Sequence, residues 1–383
     1  TNTKRVIFKS EGKIVVDLPV DIIVDLAPEY DRPFNLPLKR KDKEFDLSKL
    51  NLEKCLNNIL KNINYAHKGW VYDQYDSTVM GDTINEPGLS SGIVKIHNSN
   101  KAIGATTDCN PLYIRINPEK GMCLTVCESY RNLIASNLKP MAITNNLNFA
   151  SPLDQNIMGE LVLSLNGLKE TALYFDTPIV SGNVSLYNQT NDEPIKPTPV
   201  IGCVGYNSDY KKIISNIFQK NDQQILMIGS FLSPKNSPYF LQDQLGFTEI
   251  SAFNDICDPD FKLENKHKNF LFESFNSNLI ESCNDISKGG IIHSLIKMIK
   301  NELGFSIKIE NELDLFVECI AGYIVVINSK KYEKVLNKAK SLGVNIKNLG
   351  VVTNKRLEIN NSKLNFNSIY DEYLNIFSDK IKN

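Results

Sequence analysis

At ~150 residues per domain, 383 residues leave room for two or three domains and more than one core. The 43 Lys+Arg against 44 Asp+Glu leave a net charge of -1, which excludes the basic footprint of a non-specific nucleic-acid or acidic-membrane binder, so any charged ligand is met locally. A hydrophobic share of 42 % and a charged share of 23 %, with no apolar run near the ~18 residues of a membrane span and no secretory h-region in the first residues, point to an ordinary globular protein, neither disordered nor membranous.

Two short extended runs, Lys4 to Lys9 and Lys13 to Leu18, flank the turn-like Glu11-Gly12. A lone pair of strands is not a stable unit, so they are expected to pack on something beyond this chain. Pro28, Pro33 and Pro37, then the mixed run Lys39-Arg40-Lys41-Asp42-Lys43-Glu44, read as a linker crossing a surface. From Leu47 to Gly205 helices and strands alternate: helix 47–64, strands 92–96 and 101–107, helix 121–136, strand 140–144, helix 156–175, strands 178–181 and 199–205. On helix 121–136, Cys123, Val126, Cys127, Tyr130, Leu133 and Ile134 form one apolar face. Residues 206–222 are the natural boundary to a second unit. It carries a strand at Gln224 to Ile228, a helix at Gly289 to Asn301, a strand at Gly322 to Ile327, a helix at Lys330 to Ser341, short strands over 344–360, and a frayed end from Ser378 to Asn383. The organisation expected is thus a tail and linker (1–46), an α/β domain (47–205) and a second α/β domain (206–383).

The eight cysteines lack CxxC pairs, and His67, His97, His267 and His293 lack ligand spacing, so reduced buried thiols in a cytosolic protein are expected and histidine chemistry is not. Four segments can carry chemistry. In Thr177-Pro-Ile-Val-Ser-Gly-Asn-Val-Ser185 a strand runs into small polar residues: Gly182 admits close backbone approach, Asn183 offers a neutral oxygen to a hard cation such as Mg²⁺, and Ser185 can donate to an anion; a plain Gly-Asn-Ser turn is the alternative. Ala142-Ile-Thr-Asn-Asn-Leu-Asn-Phe149 clusters Asn145, Asn146 and Asn148, either as ligand amides or as Asx turns. Asp108 ends another strand as a metal ligand or a turn former. Asp285, Ser287, Gly289 and Gly290 precede an apolar helix as a phosphate site or an ordinary cap. A Walker A loop, a GxGxxG fingerprint and a nucleophile-base pair are all lacking, which favours phosphate and metal binding over covalent catalysis.

Trp70-Val-Tyr-Asp-Gln-Tyr-Asp76, Thr106-Thr-Asp-Cys-Asn-Pro111, Ala142 to Phe149, Pro178 to Asn188 and Lys196-Pro-Thr-Pro-Val-Ile-Gly202 resemble, in order and spacing, the synthetase subunit of phosphoribosylformylglycinamidine synthase. The resemblance extends over nearly the whole chain but only over the second half of that family's subunit. It implies a pair of domains like those of aminoimidazole ribonucleotide synthetase, with mixed sheets flanked by helices. The implied reaction is ATP-dependent amidation of formylglycinamide ribonucleotide: ATP phosphorylates the amide oxygen and ammonia from glutamine displaces the phosphate, with Mg²⁺ neutralising charge. Carried residue by residue, Asn145 and Gly182 become ATP contacts, Asn183 a Mg²⁺ ligand and Ser185 a substrate contact. The family's catalytic histidine and most of its metal-binding acids belong to the first half, so no catalytic residue is expected here.

Three positions depart from the pattern: Asn145 for Asp, Leu89-Ser90-Ser91-Gly92 for Gly-Ser-Asp-Ala, and Asn284 for His. Each removes charge or a titratable group near a presumed ligand. The implied partners are the first half of the same synthetase, a glutaminase subunit or domain and a small accessory subunit, all cytoplasmic. The start at Thr1 instead of Met, and two strands reading as the tail of a preceding domain, suggest half of a longer protein, inactive by itself. A non-catalytic, nucleotide-holding or structural half is the alternative reading. A stand-alone kinase of the same group would need a complete acidic metal cluster, which the sequence lacks.

Overall fold

In the computed structural model, residues 3–37 and 43–382 are described, so Lys39 to Asp42 of the mixed linker run lie outside them. A hairpin of β1 (Arg5–Ser10) and β2 (Lys13–Pro19) leads into the single-turn α1 (Val20–Ile23). Ile7, Phe8, Ile14 and Val15 of this hairpin are exposed. The linker then docks: the Asn35 N–H donates to the carbonyl of Gln155 at 2.9 Å.

After α2 (Leu52–Leu60) and α3 (Gly69–Tyr72) come the strands and helices of a first, six-stranded sheet. These are β3 (Thr83–Asn85), β4 (Gly92–Lys95), β5 (Ala102–Asp108), α4 (Pro111–Ile116), α5 (Pro118–Ala135), β6 (Lys139–Asn148), α6 (Gln155–Tyr174) and β7 (Ile179–Ser185). A minimal hairpin of β8 (Gln189–Thr190) and β9 (Glu193–Pro194) precedes β10 (Thr198–Asn207). The order is β3-β4-β5-β10-β6-β7, antiparallel except for the parallel pair β6 and β7.

The second sheet has seven strands. It grows from β11 (Gln224–Phe231), β12 (Ser282–Asp285), β13 (Leu303–Ile307), β14 (Cys319–Ile327), β15 (Ile346–Asn354), β16 (Leu357–Ile359) and β17 (Ser362–Leu364). Their order is β12-β14-β11-β15-β13-β16-β17, with β13 and β16 parallel. Its helices are α7 (Pro238–Leu245), α8 (Phe261–Asn276), α9 (Gly290–Lys297), α10 (Tyr332–Ser341) and α11 (Phe366–Lys382). The mixed sheets with flanking helices are the expected fold class.

Three differences from the sequence reading have physical causes. First, the polar stretches after 144 and 181 are strand, not loop: β6 and β7 run on in parallel register, pairing Asn145 with Gly182, Asn146 with Asn183 and Asn148 with Ser185. Backbone pairing outweighs the turn preference of Asn and Gly there, and an exposed edge strand tolerates polar side chains on both faces. Second, α5 is not one-faced. Asn117 caps it by accepting from the Lys120 N–H at 3.2 Å, Pro118 occupies its first turn, and Glu128, Ser129, Arg131 and Asn132 are as buried as its apolar residues. The helix touches β5 and β10 on one side and β12, β14 and α8 on the other. Third, the segment from Ser378 expected to fray is helical through Lys382 as the exposed end of α11, whose buried residues Phe366, Ile369 and Tyr373 lie upstream of it; Asn383 lies outside the described residues.

The two apolar cores do not follow chain order. Leu52, Cys55, Leu56, Ile59 and Leu60 of α2 join α9, α11 and one face of the second sheet, although α2 precedes the first sheet. The other core joins the first sheet, α5 and α6 to α8, α10 and the opposite face of the second sheet. All eight cysteines are free thiols, six of them buried, Cys123 and Cys127 among them.

Candidate functional site

The residues expected to bind ligand fall into two groups. Asp108, Ile201, Asn145 and Gly182 form one row across β5, β10, β6 and β7. Side chains alternate along a strand, so this row shares the helix-covered face while Asn183 and Ser185 stand on the open face. Asn145 and Gly182 are matched in space: a Cβ at Gly182 would lie 2.6 Å from Asn145 Oδ1. The Asn183 amide donates to Asn146 Oδ1 at 3.0 Å, leaving its own carbonyl oxygen for a ligand. Ser185 donates to Asn188 Oδ1 at 3.1 Å, and the Asn188 amide holds the carbonyls of Phe149 and Ser185.

At the β5 end of that row, Asp108 lines a cleft of about 720 Å³ between the two sheets together with Asp285 and Ser287. Four carboxylates, Asp108, Glu128, Asp243 and Asp285, share it with Lys196, Lys288, Lys297 and His293. The Asn132 amide donates to Asp108 Oδ1 at 2.9 Å, and the Asn110 amide donates to Glu128 Oε2 at 2.6 Å. Lys288 spans the cleft, donating to the Cys109 carbonyl at 2.8 Å with its ammonium 3.9 Å from Glu128 Oε1. Asp108 Oδ2 and both carboxylate oxygens of Asp285 are buried with no hydrogen-bond partner.

Burial, with Glu128 and Asp285 nearby, pushes the Asp108 carboxyl up to about 7. Burial likewise raises Asp285, against the pull of Lys297 and Arg131. Burial works against the charge on Glu128 too, but Lys288, Arg131 and the Asn110 amide hold it below the usual range. Burial acts against the Lys288 charge, and Glu128 reverses that and holds the ammonium up. The cleft thus has one ion pair, Glu128 with Lys288, and two buried carboxyls, Asp108 and Asp285, with oxygens that no hydrogen bond satisfies.

Those unpartnered carboxylate oxygens suit a hard cation. Among the described residues no group of three His, Cys, Asp or Glu side chains is gathered tightly enough to hold a metal by itself. Mg²⁺ commonly takes one or two carboxylates and completes its shell with water and phosphate oxygens, which is what Asp108 and Asp285 can offer. Asn183 offers one neutral oxygen and needs further ligands from beyond its own strand.

The Gly289-Gly290 pair answers a backbone need: φ is +81° and +67°, and a Cβ at Gly290 would lie 2.5 Å from the Leu315 carbonyl oxygen. The Gly290 N–H is already bonded to the Ser287 carbonyl at 3.0 Å. Two of the three departures from the family pattern touch each other, since Ser90 donates to Asn284 Oδ1 across the two units. The residues missed in the sequence are Glu128, Asn132 and Lys288. The polar run Glu128-Ser129-Tyr130-Arg131-Asn132 inside an otherwise apolar helix was the available signal.

One consequence is measurable. The folded chain keeps a proton on Asp108 between the ordinary value of 3.8 and about 7, where the unfolded chain has lost it. Asp108 therefore contributes stability below pH ~4 that is lost as pH rises to ~7. Asp108→Asn should raise the urea midpoint more at pH 8 than at pH 4; an equal change at both would refute the protonated carboxyl.

The two mixed sheets, the helix α5 shared between them and the acidic cleft define a two-unit α/β protein. Residues 88–206 match the AIR synthase related protein, N-terminal domain, and residues 222–360 match its C-terminal domain. The chain belongs to the AIR synthase related family. It is 36 % identical to the phosphoribosylformylglycinamidine synthase subunit PurL of Pelagibacter ubique over 100 % of this chain and 53 % of that protein. With PurL of a Ruegeria species the identity is 33 %, over 98 % of this chain and 52 % of that one. The chain spans about half the length of these relatives. The fold is similar to T. maritima PurL complexed with ATP, at a TM-score of 0.60 and 19 % identity over 91 % of this chain and 48 % of that one. It is similar also to T. maritima PurL complexed with FGAR, at a TM-score of 0.66 and 15 % identity over 84 % and 53 %.

Proposed function

We propose that this chain acts as the second half of a phosphoribosylformylglycinamidine synthase synthetase subunit, supplying Asn183 and Ser185 from the open face of the first sheet, and Asn145 and Gly182 from around its exposed edge, to an active site completed by the first half. The observation that carries this reading is the exposed edge strand β7 beside an uncovered sheet face. Gly182 and Asn183 are exposed, and so are Val94 and Ile103, which are paired across β4 and β5 on the face that carries Asn183 and Ser185. An apolar sheet face with ligand-type residues at its edge is incomplete as an active site and as a packing unit. A first half seated there would cover the face and bring the missing acids and the histidine.

In this reading the amidation of formylglycinamide ribonucleotide proceeds by phosphorylation of its amide oxygen and displacement by ammonia. Mg²⁺ bound with the nucleotide would neutralise phosphate charge, with Asn183 offering an oxygen to it. Gly182 lets the nucleotide approach the backbone, Asn145 holds it by amide hydrogen bonds, and Ser185 hydrogen-bonds the ribonucleotide. Ammonia comes from a glutaminase partner, with a small accessory subunit alongside, in the cytoplasm; T. maritima PurLQS, similar in fold at a TM-score of 0.60, supports such an assembly. The domain division is then a tail and linker to residue 46, a first unit to 205 and a second to 383.

The purified chain should show no turnover with ATP, Mg²⁺, formylglycinamide ribonucleotide and ammonia, and should gain it when a separately expressed first half is added. Turnover by the chain without that half would overturn the proposal.

A second reading, a nucleotide-holding half without turnover, draws on the neutral Asn145 and on the interdomain cleft. Asn145→Asp separates the two by nucleotide titration with Mg²⁺. A gain of about tenfold in affinity points to a weakened site, on the scale of ~1.4 kcal/mol for one charge-assisted contact. Gly182→Ala pushes against the Asn145 amide and should abolish that gain.

A further inference from the structure

A second cavity, of about 190 Å³, opens away from the acidic cleft between α5, the start of β6, the loop after α6, and α8. Its walls are largely apolar: Tyr130, Ile134, Phe175 and Phe272, with the buried Cys127 thiol. The Tyr130 and Phe175 rings stand edge to face, centroids 5.1 Å apart, which leaves a flat slot beside them. An apolar cavity of about 150 Å³ accommodates benzene, so this one has room for a single ring with a small substituent.

Its polar groups are unevenly satisfied. Tyr130 is buried, and its hydroxyl has no hydrogen-bond partner. Lys139 and Lys268 both line the cavity, and among the described residues neither forms an ion pair. The Lys268 ammonium lies 5.9 Å from the Phe175 ring centroid, and burial together with the nearby Lys139 charge depresses its protonation. Glu264 also lines the cavity but is matched by Arg131, at 2.5 Å. The lining therefore carries two lysines outside any ion pair, a ring-sized apolar slot and one buried phenol near Thr177.

We propose that this cavity binds a small monocyclic aromatic carboxylate. The ring lies against Phe175 and Tyr130, the carboxylate pairs with Lys139 and Lys268, and a ring hydroxyl reaches Tyr130. The walls come from both units, with α5, β6 and the loop after α6 on one side and α8 on the other, so the ligand strengthens their docking. The assignment is independent of the amidation reading, because no residue of this cavity is placed in that chemistry.

The test is ligand-detected NMR on the full chain with 4-hydroxybenzoate, benzoate and 4-hydroxybenzamide. A ligand of this size is expected to saturate below about 10 mM. Loss of the charge in 4-hydroxybenzamide, or of both cations in Lys139→Ala/Lys268→Ala, should weaken binding about tenfold. Tyr130→Phe should weaken 4-hydroxybenzoate about threefold or more and leave benzoate unchanged. The two lysines are exposed and half-buried, so that double variant keeps the fold, which circular dichroism verifies. Absence of saturable binding, binding indifferent to the lysines, or displacement of the probe by ATP would each overturn the assignment.

Discussion

Arg131→Met should destabilise the chain by about 3–5 kcal/mol, the usual cost of stranding a buried charge. The guanidinium sits on α5 between the two sheets, and its Nη1 is 2.5 Å from Glu264 Oε1, with both side chains over 90 % buried. Burial already raises the Glu264 carboxyl, and Arg131 is the main influence opposing it. Without Arg131, Glu264 must be protonated or remain an unpaired ion, and Glu128 and Asp285 also lose a nearby cation. A further raised acid contributes stability below its unfolded value and loses it as pH rises, so the deficit of the variant should be smaller at pH 4 than at pH 8. Urea unfolding at both pH values is the measurement. Arg131→Met combined with Glu264→Leu should recover most of the loss, since removing both partners is far milder than removing one. A loss below ~1 kcal/mol, equal at both pH values, would contradict a buried, interdependent pair.

Gly290→Ala should cost about 3 kcal/mol, the sum of ~1–2 for a left-handed non-glycine backbone and ~1–3 for overpacking. Its φ is +67°, and a Cβ would lie 2.5 Å from the Leu315 oxygen, 2.7 Å from the Phe316 carbonyl carbon and 2.8 Å from the Val317 oxygen. All three obstacles are backbone atoms and cannot rotate away. Gly246 is the control: its φ is +74° but nothing stands within 4 Å of the added methyl, so Gly246→Ala should cost only ~1–2 kcal/mol. Urea midpoints for the two variants decide the matter, and equal losses would show that backbone conformation matters at 290 and crowding does not.

Much of the scaffold was legible because its signals are local. The strands near 92, 102 and 224 and the helices near 156 and 332 lie within a few residues of where alternation and helical period place them. Helices α7 and α8, which surround the cleft and the second cavity, were not read. Their apolar residues are interleaved with polar ones, Gln and Asp in α7 and Lys, Glu and Asn in α8, and α8 buries Glu264 and His267 beside Phe270 and Leu271. Burial of such polar groups depends on partners distant in sequence, Arg131 for Glu264 and the Ala321 carbonyl for His267. No local pattern announces them.

The sequence by itself determined the absence of a general polyanion-binding charge, the α/β class, the family resemblance and the residue types at Asn145, Gly182, Asn183 and Ser185. Those depend on composition and on motifs read along one stretch of chain. Only the tertiary structure decided that Asn145 and Gly182 lie on one face of the sheet while Asn183 and Ser185 lie on the other, because strand register is set by long-range pairing. It also decided that Asp108, Glu128 and Asp285 share a cleft, since α5 must be buried between two sheets before its polar residues have anything to face.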